Sequence, residues 1–220
     1  MYNIKAFIFD LNGTIIDDME YHLMAWNYII NEKLKGNLTV AEVKKNMYGK
    51  NEEVLERVFG PGRFSKKEMQ AISMEKEEKY RQAYFPNLQL INGLPAFFEQ
   101  AVNHNIQLAI ATASVAENLD QILDRLDIRK FFSAMVHAGE VSNSKPDPET
   151  FLKVAEKLGV LPEDCLVFED APKGVAAAQN ARMRAIAITT THDSADFLEY
   201  SAVDWFIKDY TDPALRALIV

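Results

Sequence analysis

The chain is short of cysteine, of basic surplus and of long apolar runs, and each shortage excludes a class of protein. A single cysteine, Cys165, rules out an internal disulfide and a cysteine-rich metal site. No apolar run approaches the roughly 20 residues that a membrane-spanning helix needs. The opening Met-Tyr-Asn-Ile-Lys lacks the basic and apolar regions of a secretory signal. The expectation is a reducing, cytoplasmic setting with no membrane partner. Acids outnumber bases, 32 to 24, which argues against nucleic acid as a partner, because phosphate backbones are held by surplus Lys and Arg. A small phosphorylated molecule stays open, since it needs only a local positive site. Hydrophobic residues make up 48% and charged residues 25% of 220, so the chain is globular rather than disordered.

What is present is a regular alternation. Residues 4–9 are a short apolar run stopped by Asp10, which predicts a buried strand. From 17 to 86 the pattern is helical throughout. Met19, Leu23, Trp26, Ile30 and Leu34 share one helix face. Thr39-Val40-Ala41-Glu42 and Ser65-Lys66-Lys67-Glu68 are capping boxes, and Asn51 is placed to cap a helix through Phe59. After Pro86, helices alternate with strands expected at 107–112, 134–137, 165–168, 184–188 and 204–207. This predicts an α/β fold, a Rossmann-like parallel sheet sandwiched by helices, with an inserted all-helical domain. The sheet domain would be 1–16 and 87–220, and the insert 17–86. The insert carries as many acids as bases, so the whole net charge of −8 falls on the sheet domain.

In an open parallel sheet, ligands gather beyond the carboxyl ends of the strands. The sequence puts Asp10, Asn12, Gly13 and Thr14 after the first strand, and Thr112, Ala113 and Ser114 after the second. Ser144-Lys145-Pro146 follows the third, and Glu169 and Asp170 follow the fourth. Each has an ordinary reading alone. Asp10 suits a turn, Thr112 and Ser114 suit helix N-caps, Lys145 a solvated loop, and Glu169-Asp170 the acidic first turn of a helix. Together, three acids, an ammonium and several hydroxyls at one edge suit a divalent cation and a phosphoryl group.

Phe9-Asp10-Leu11-Asn12-Gly13-Thr14, Thr112-Ala113-Ser114, Ser144-Lys145-Pro146-Asp147-Pro148 and Phe168-Glu169-Asp170 resemble the four motifs of the haloacid dehalogenase-like (HAD) hydrolases. The helical insert resembles their small cap. Asp17-Asp18-Met19-Glu20-Tyr21-His22, with Ala25-Trp26, resembles the β-phosphoglucomutase and sugar-phosphatase branch. The resemblance implies a Mg2+-dependent phosphohydrolase of a small phosphorylated metabolite, a sugar phosphate in that branch, with phosphomutase as the alternative. It implies Asp10 as a nucleophile forming an aspartyl-phosphate. Thr112, Ala113 and Ser114 would hold the phosphoryl group, with Gly13 and Thr14 in the same loop region as Asp10. Lys145 would balance charge, and Asp10, the Asn12 carbonyl, Glu169 and Asp170 would bind Mg2+. The cap would close over the site and exclude water. Monomer and homodimer both stay open.

Asn12 departs from this family, whose phosphatases and mutases carry an acid/base Asp there. A carboxamide donates a hydrogen bond but delivers no proton near neutral pH, and general acid–base catalysis is worth about 10²–10⁴-fold. Three explanations stay open: leaving groups that need no acid, a non-catalytic pseudoenzyme that binds phosphate esters, or an engineered replacement. In the insert, Gly49, Lys50 and Asn51 resemble the cap's substrate loop, but Glu52 stands where the mutases carry Arg. Ser114-Val115-Ala116 replaces their Ser-Lys-Asn run. Both changes favour a hydrolase over a hexose-phosphate mutase. His22 and Lys79 match positions that orient the acid/base residue in that branch; read alone, they are a helix-surface histidine and one charge of a solvated run. Trp26 reads as cap packing, with substrate contact as its other role.

Overall fold

The structure, a computed structural model, describes residues 4–219. The chain runs β1 (Ala6–Phe9), α1 (Met19–Asn27), a π-helical turn (Tyr28–Lys33), α2 (Val40–Asn46), α3 (Asn51–Phe59) and α4 (Lys66–Tyr84). It continues α5 (Leu94–Asn103), β2 (Gln107–Ala111), α6 (Ala116–Arg125), β3 (Phe132–Val136), α7 (Glu149–Leu158), β4 (Cys165–Glu169), α8 (Pro172–Asn180), β5 (Arg184–Ile188) and β6 (Val203–Ile207). It divides into two compact units, Met1–Asp17 with Gln89–Val220, and Asp18–Leu88. Among the described residues, no helix is long and apolar enough to cross a membrane.

In the first unit six strands form one parallel sheet in the order β3-β2-β1-β4-β5-β6. β1 is buried on both faces, as a central parallel strand must be. Its side chains alternate between two chemically different layers. Ala6 and Ile8 join Val167, Phe151 and Val175 in an aliphatic core of mostly small residues. Phe7 and Phe9 enter an aromatic layer with Phe97, Phe168 and Tyr210, where Phe9 stacks on Phe168 at 4.7 Å. Burying each such ring contributes roughly 1.5–3 kcal/mol. That fixes the height at which β1 ends and Asp10 begins.

The second unit is helical. Trp26, Ile29, Ile30, Val54, Leu55 and Ile72 form its core. The capping boxes are present: Thr39 with Glu42 opens α2, and Ser65 with Glu68 opens α4. Two local expectations are corrected. The apolar face through Leu34 is not one continuous α-helix, because Tyr28–Lys33 widens into a π turn in which the Leu34 N–H reaches back to the Ile29 carbonyl. The cap of α3 is Lys50 rather than Asn51: the Lys50 N–H is satisfied by Glu53 at 3.0 Å, and Asn51 instead donates to Glu77 at 2.7 Å.

Candidate active site

The carboxyl edge of the sheet unit collects the chemistry because the two central strands end one after the other. β1 delivers Asp10, whose N–H bonds the Phe168 carbonyl of β4 at 3.0 Å. β4 itself extends to Glu169, one residue beyond its expected end. Lys145, on the loop before α7, reaches in between. Its ammonium lies 2.6 Å from Asp10 Oδ1 and 2.8 Å from Glu169 Oε2, above the Phe151 ring. The loop is braced by Glu149, which accepts the backbone N–H groups of Ser142 and Asn143. These bonds and Lys153 hold the Glu149 carboxyl down at about 2.

Asp10, Glu169 and Asp170 are all buried, and their oxygens lie within 4.8 Å of one another. One ammonium against three carboxylates leaves the cluster short of positive charge. Burial, opposed by Lys145 and reinforced by Asp170, pushes Glu169 up to about 7. Burial and the neighbouring Asp10 push Asp170 up as well. Burial works against the Lys145 charge, but Asp10 and Glu169 outweigh it and hold the ammonium protonated. A set of hard oxygens with surplus negative charge fits a divalent cation such as Mg2+.

Two glycines make room for this set. A Cβ on Gly13, whose φ is +77°, would meet Asp170 Oδ2 at 2.2 Å; one on Gly174 would meet the Glu169 carboxyl carbon at 1.9 Å. The end of β2, parallel to β1 and beside it, adds a threonine and a serine to the same sheet edge. Thr112 Oγ1 accepts the Ser114 N–H at 3.0 Å, and the buried Ser114 hydroxyl finds no hydrogen-bond partner among the described residues. The Ser144 hydroxyl, next to Lys145 in sequence, is also without a partner among the described residues. Such groups have their bonding capacity left for a ligand's oxygens.

The profile of the haloacid dehalogenase-like hydrolase family matches residues 7–188, which span all four of these strand ends. This chain belongs to the haloacid dehalogenase-like hydrolases. The β-phosphoglucomutase of Bacillus subtilis is 33% identical over 202 residues, covering 84% of this chain and 83% of that one. The fructose-1-phosphate phosphatase of Escherichia coli is 30% identical, covering 82% and 94%. Among solved structures, a HAD hydrolase of family IA from Entamoeba histolytica superposes with a TM-score of 0.86 at 25% identity, covering 98% of this chain and 99% of its own. A β-phosphoglucomutase from Clostridium difficile gives 0.82 at 26%, covering 98% and 95%.

In this HAD hydrolase Thr14 is joined at the edge by residues that sequence reading passed over, Thr190, Thr191 and Tyr210. Thr191 Oγ1 donates to Asp170 Oδ2, Thr14 Oγ1 lies 3.3 Å from Oδ1, and Thr190 Oγ1 donates to the Gly13 carbonyl. Tyr210 donates its hydroxyl to the Thr14 carbonyl at 3.0 Å. The signal for Thr190 and Thr191 was available: they follow the fifth strand as Asp170 follows the fourth. Gly174 carried a weaker one, a small residue one turn into the helix after the acids.

The candidates of the helical unit fall into two groups. Gly49, with φ +77°, turns the chain into α3 next to Lys50. Arg57 braces this loop by stacking on Tyr48 and donating to its carbonyl at 3.1 Å. The other group is a buried polar chain. Asp18 accepts from Tyr80 and lies 3.4 Å from His22 Nε2; His22 Nδ1 lies 2.7 Å from the Lys76 ammonium, and Lys76 and Asn51 both donate to Glu77. Burial alone would raise Glu77, but Lys76, His22 and Asn51 hold it down at about 2. The lysine beside His22 is Lys76, while the Lys79 ammonium sits over the Tyr28 ring at 3.6 Å. Trp26 is 3% exposed in the helical core, which makes it packing rather than a substrate platform.

Gly174→Ala tests the fit of the acids. The added methyl is expected to displace Glu169 from Lys145 and to lower the affinity of these acids for a divalent cation by about 10–100-fold, the scale for losing a ligand's support. Isothermal titration with Mg2+ checks this, with the far-UV spectrum as the control for folding.

Proposed function

We propose that this HAD hydrolase is a Mg2+-dependent phosphohydrolase of a small phosphorylated metabolite of sugar-phosphate size, working through an aspartyl-phosphate on Asp10. The observation that carries the reading is the 2.6 Å contact of Asp10 with Lys145 inside the buried cluster with Glu169 and Asp170. Lys145 offsets the repulsion between the Asp10 carboxylate and an anionic phosphoryl group, and stabilises the charge that spreads over its oxygens in the transition state. Thr112 and Ser114 would orient those oxygens. Asp10, the Asn12 carbonyl, Glu169 and Asp170 would hold the cation, which as a Lewis acid draws charge from a phosphoryl oxygen. The helical unit would serve as the family's cap and carry residues that select the substrate, with Gly49, Lys50 and His22 foremost. The names of the two relatives, a phosphomutase and a sugar phosphatase, support a phosphorylated sugar as the class of ligand. Phosphate release from a panel of phosphorylated metabolites tests the reading; a phosphomutase would interconvert its substrate and release little.

Metal dependence has a signature in stability. Glu169 is raised to about 7 in the fold and Asp170 is raised too, so between about pH 4.5 and 7 the native state binds more protons than the unfolded chain. Stability of the metal-free protein therefore falls as pH rises through that window. Glu77 and Glu149, held at about 2, act only below it, because their contribution is complete above the unfolded value near 4.5. Thermal melts in chelator should show a lower Tm at pH 7.5 than at pH 5.5. Mg2+ at a hundred times its Kd should restore about 5–10 °C at the higher pH, from about 2.7 kcal/mol of linkage. An equal Mg2+ effect at both pH values would count against binding at these acids.

A further inference from the structure

Moving a phosphoryl group onto Asp10 breaks the bond between phosphorus and the leaving oxygen, and the bonding pair stays on that oxygen. An alkoxide, related to water at about 15.7, needs a proton as it leaves. A carboxylate at about 4, or a phosphate-type oxygen at about 6, does not. Which kind of substrate suits this site therefore depends on its proton donors.

With Glu169 and Asp170 taken up as anions around the cation, the described residues of the sheet unit are poor in them. Asn12 follows the nucleophile by two residues, and its carboxamide releases no proton. Lys145 is fixed between Asp10 and Glu169 at 2.6 and 2.8 Å. Tyr210 is buried with its hydroxyl donated to the Thr14 carbonyl. His192 Nδ1 lies 3.1 Å from the Asp170 carbonyl and 3.3 Å from Thr191 Oγ1. His137 accepts the Gly139 N–H at 3.1 Å and presents its other nitrogen to Glu140. The charge-balancing machinery is complete while the proton-delivering position is filled by an amide.

Resting on the phosphohydrolase reading, we infer that the phosphoryl group this enzyme takes is in anhydride linkage, as an acyl phosphate or a phosphoanhydride, rather than in an alkyl ester. In the first step an Asp10 oxygen bonds to phosphorus, the bond to the leaving carboxylate or phosphate breaks, and that group departs as an anion with the bonding pair. No proton moves. In the second step water bonds to phosphorus, the bond to Asp10 breaks and restores the carboxylate, and the water's proton goes to the released phosphate or to solvent. The second step also lacks a base at position 12, so it is the slow one and the aspartyl-phosphate accumulates.

The test uses the full chain with Mg2+, after intact mass spectrometry shows that Asn12 has not deamidated. Initial rates are measured on acetyl phosphate, pyrophosphate, phenyl phosphate, glucose 6-phosphate and glycerol 3-phosphate. The expected kcat/KM falls by about 10²–10⁴-fold from the better of the first two to the alkyl esters, with the aryl ester between. The reactive substrates give a burst of leaving group equal to the enzyme, followed by a common kcat. The acetyl phosphate and pyrophosphate arms separate the two sources of anhydride. Asn12→Asp should raise kcat/KM on the alkyl esters by a similar factor, and by less on acetyl phosphate. Comparable kcat/KM on alkyl and anhydride substrates overturns the inference and leaves the phosphohydrolase reading standing, as does an Asn12→Asp variant with no gain on alkyl esters. No turnover of any substrate by either protein overturns the phosphohydrolase reading itself.

Discussion

With Asp10 as the proposed nucleophile, Asp10→Asn should lower phosphate release by on the order of 10⁴–10⁶-fold, the scale on which enzymes respond to losing a nucleophile. The amide keeps the shape and one acceptor oxygen for Lys145 but cannot attack phosphorus. Its second consequence distinguishes this loss from a folding defect. Asp10 is one of the charges that push Asp170 up, so replacing it relieves repulsion inside the buried cluster. Metal-free Asp10→Asn should melt no lower than the parent at pH 7.5 while showing no phosphoenzyme after acid quench. Residual turnover at a tenth of the parent rate would remove Asp10 from the role of nucleophile.

Lys145→Met is expected to damage both chemistry and stability. Removing a preorganised charge from the developing transition state costs about 10²–10³-fold in kcat. Breaking a buried ion pair costs about 3–5 kcal/mol, because the partner charges remain without compensation. Here two carboxylates lose their shared cation, since Asp10 and Glu169 both bond it. The sign with pH follows. The Lys145 ammonium contributes fully at neutral pH, as its folded pKa lies above the unfolded one. Without it, the acids regain neutrality only by protonation, so the deficit is larger at pH 8 than at pH 5.5. Urea denaturation at the two pH values measures it. Lys145→Arg should not restore kcat, because a planar fork does not replace a compact ammonium between two carboxylates.

The strand ends made most of the candidate site legible. An apolar run stopped by a polar residue gives both the element and its carboxyl edge, so Asp10, Thr112, Lys145, Glu169 and Asp170 could be put together before any coordinates. The contacts that support them were harder to read. The hydroxyls of Thr190 and Thr191 look like any polar turn until β5 is known to lie beside β4. Gly174 matters through a contact with Glu169 that composition does not reveal. In the helical unit the core was legible from periodicity, while the polar chain through Asp18, His22, Lys76 and Glu77 was not. A buried Lys and Glu in an otherwise charged helix look like solvated charges until burial is measured, and Lys76 is 3% exposed. The π turn after Asn27 changes helix pitch without changing the residue types that signal a helix.

The order of the strands also bears on how the enzyme comes into being. β1 has no partner near it in sequence: Ala6 pairs with Gln107 on one side and Cys165 on the other. All of the helical unit is synthesised between β1 and its first neighbour. The strand that leads to Asp10 must therefore wait, apolar on both faces, until β2 and then β4 emerge. Such non-local pairing folds slowly and leaves a sticky intermediate. The helical unit ends at Leu88, before β2 is made, and can form meanwhile. The strand that delivers Asp10 is made before either strand it pairs with, so the surroundings of Asp10 assemble after it.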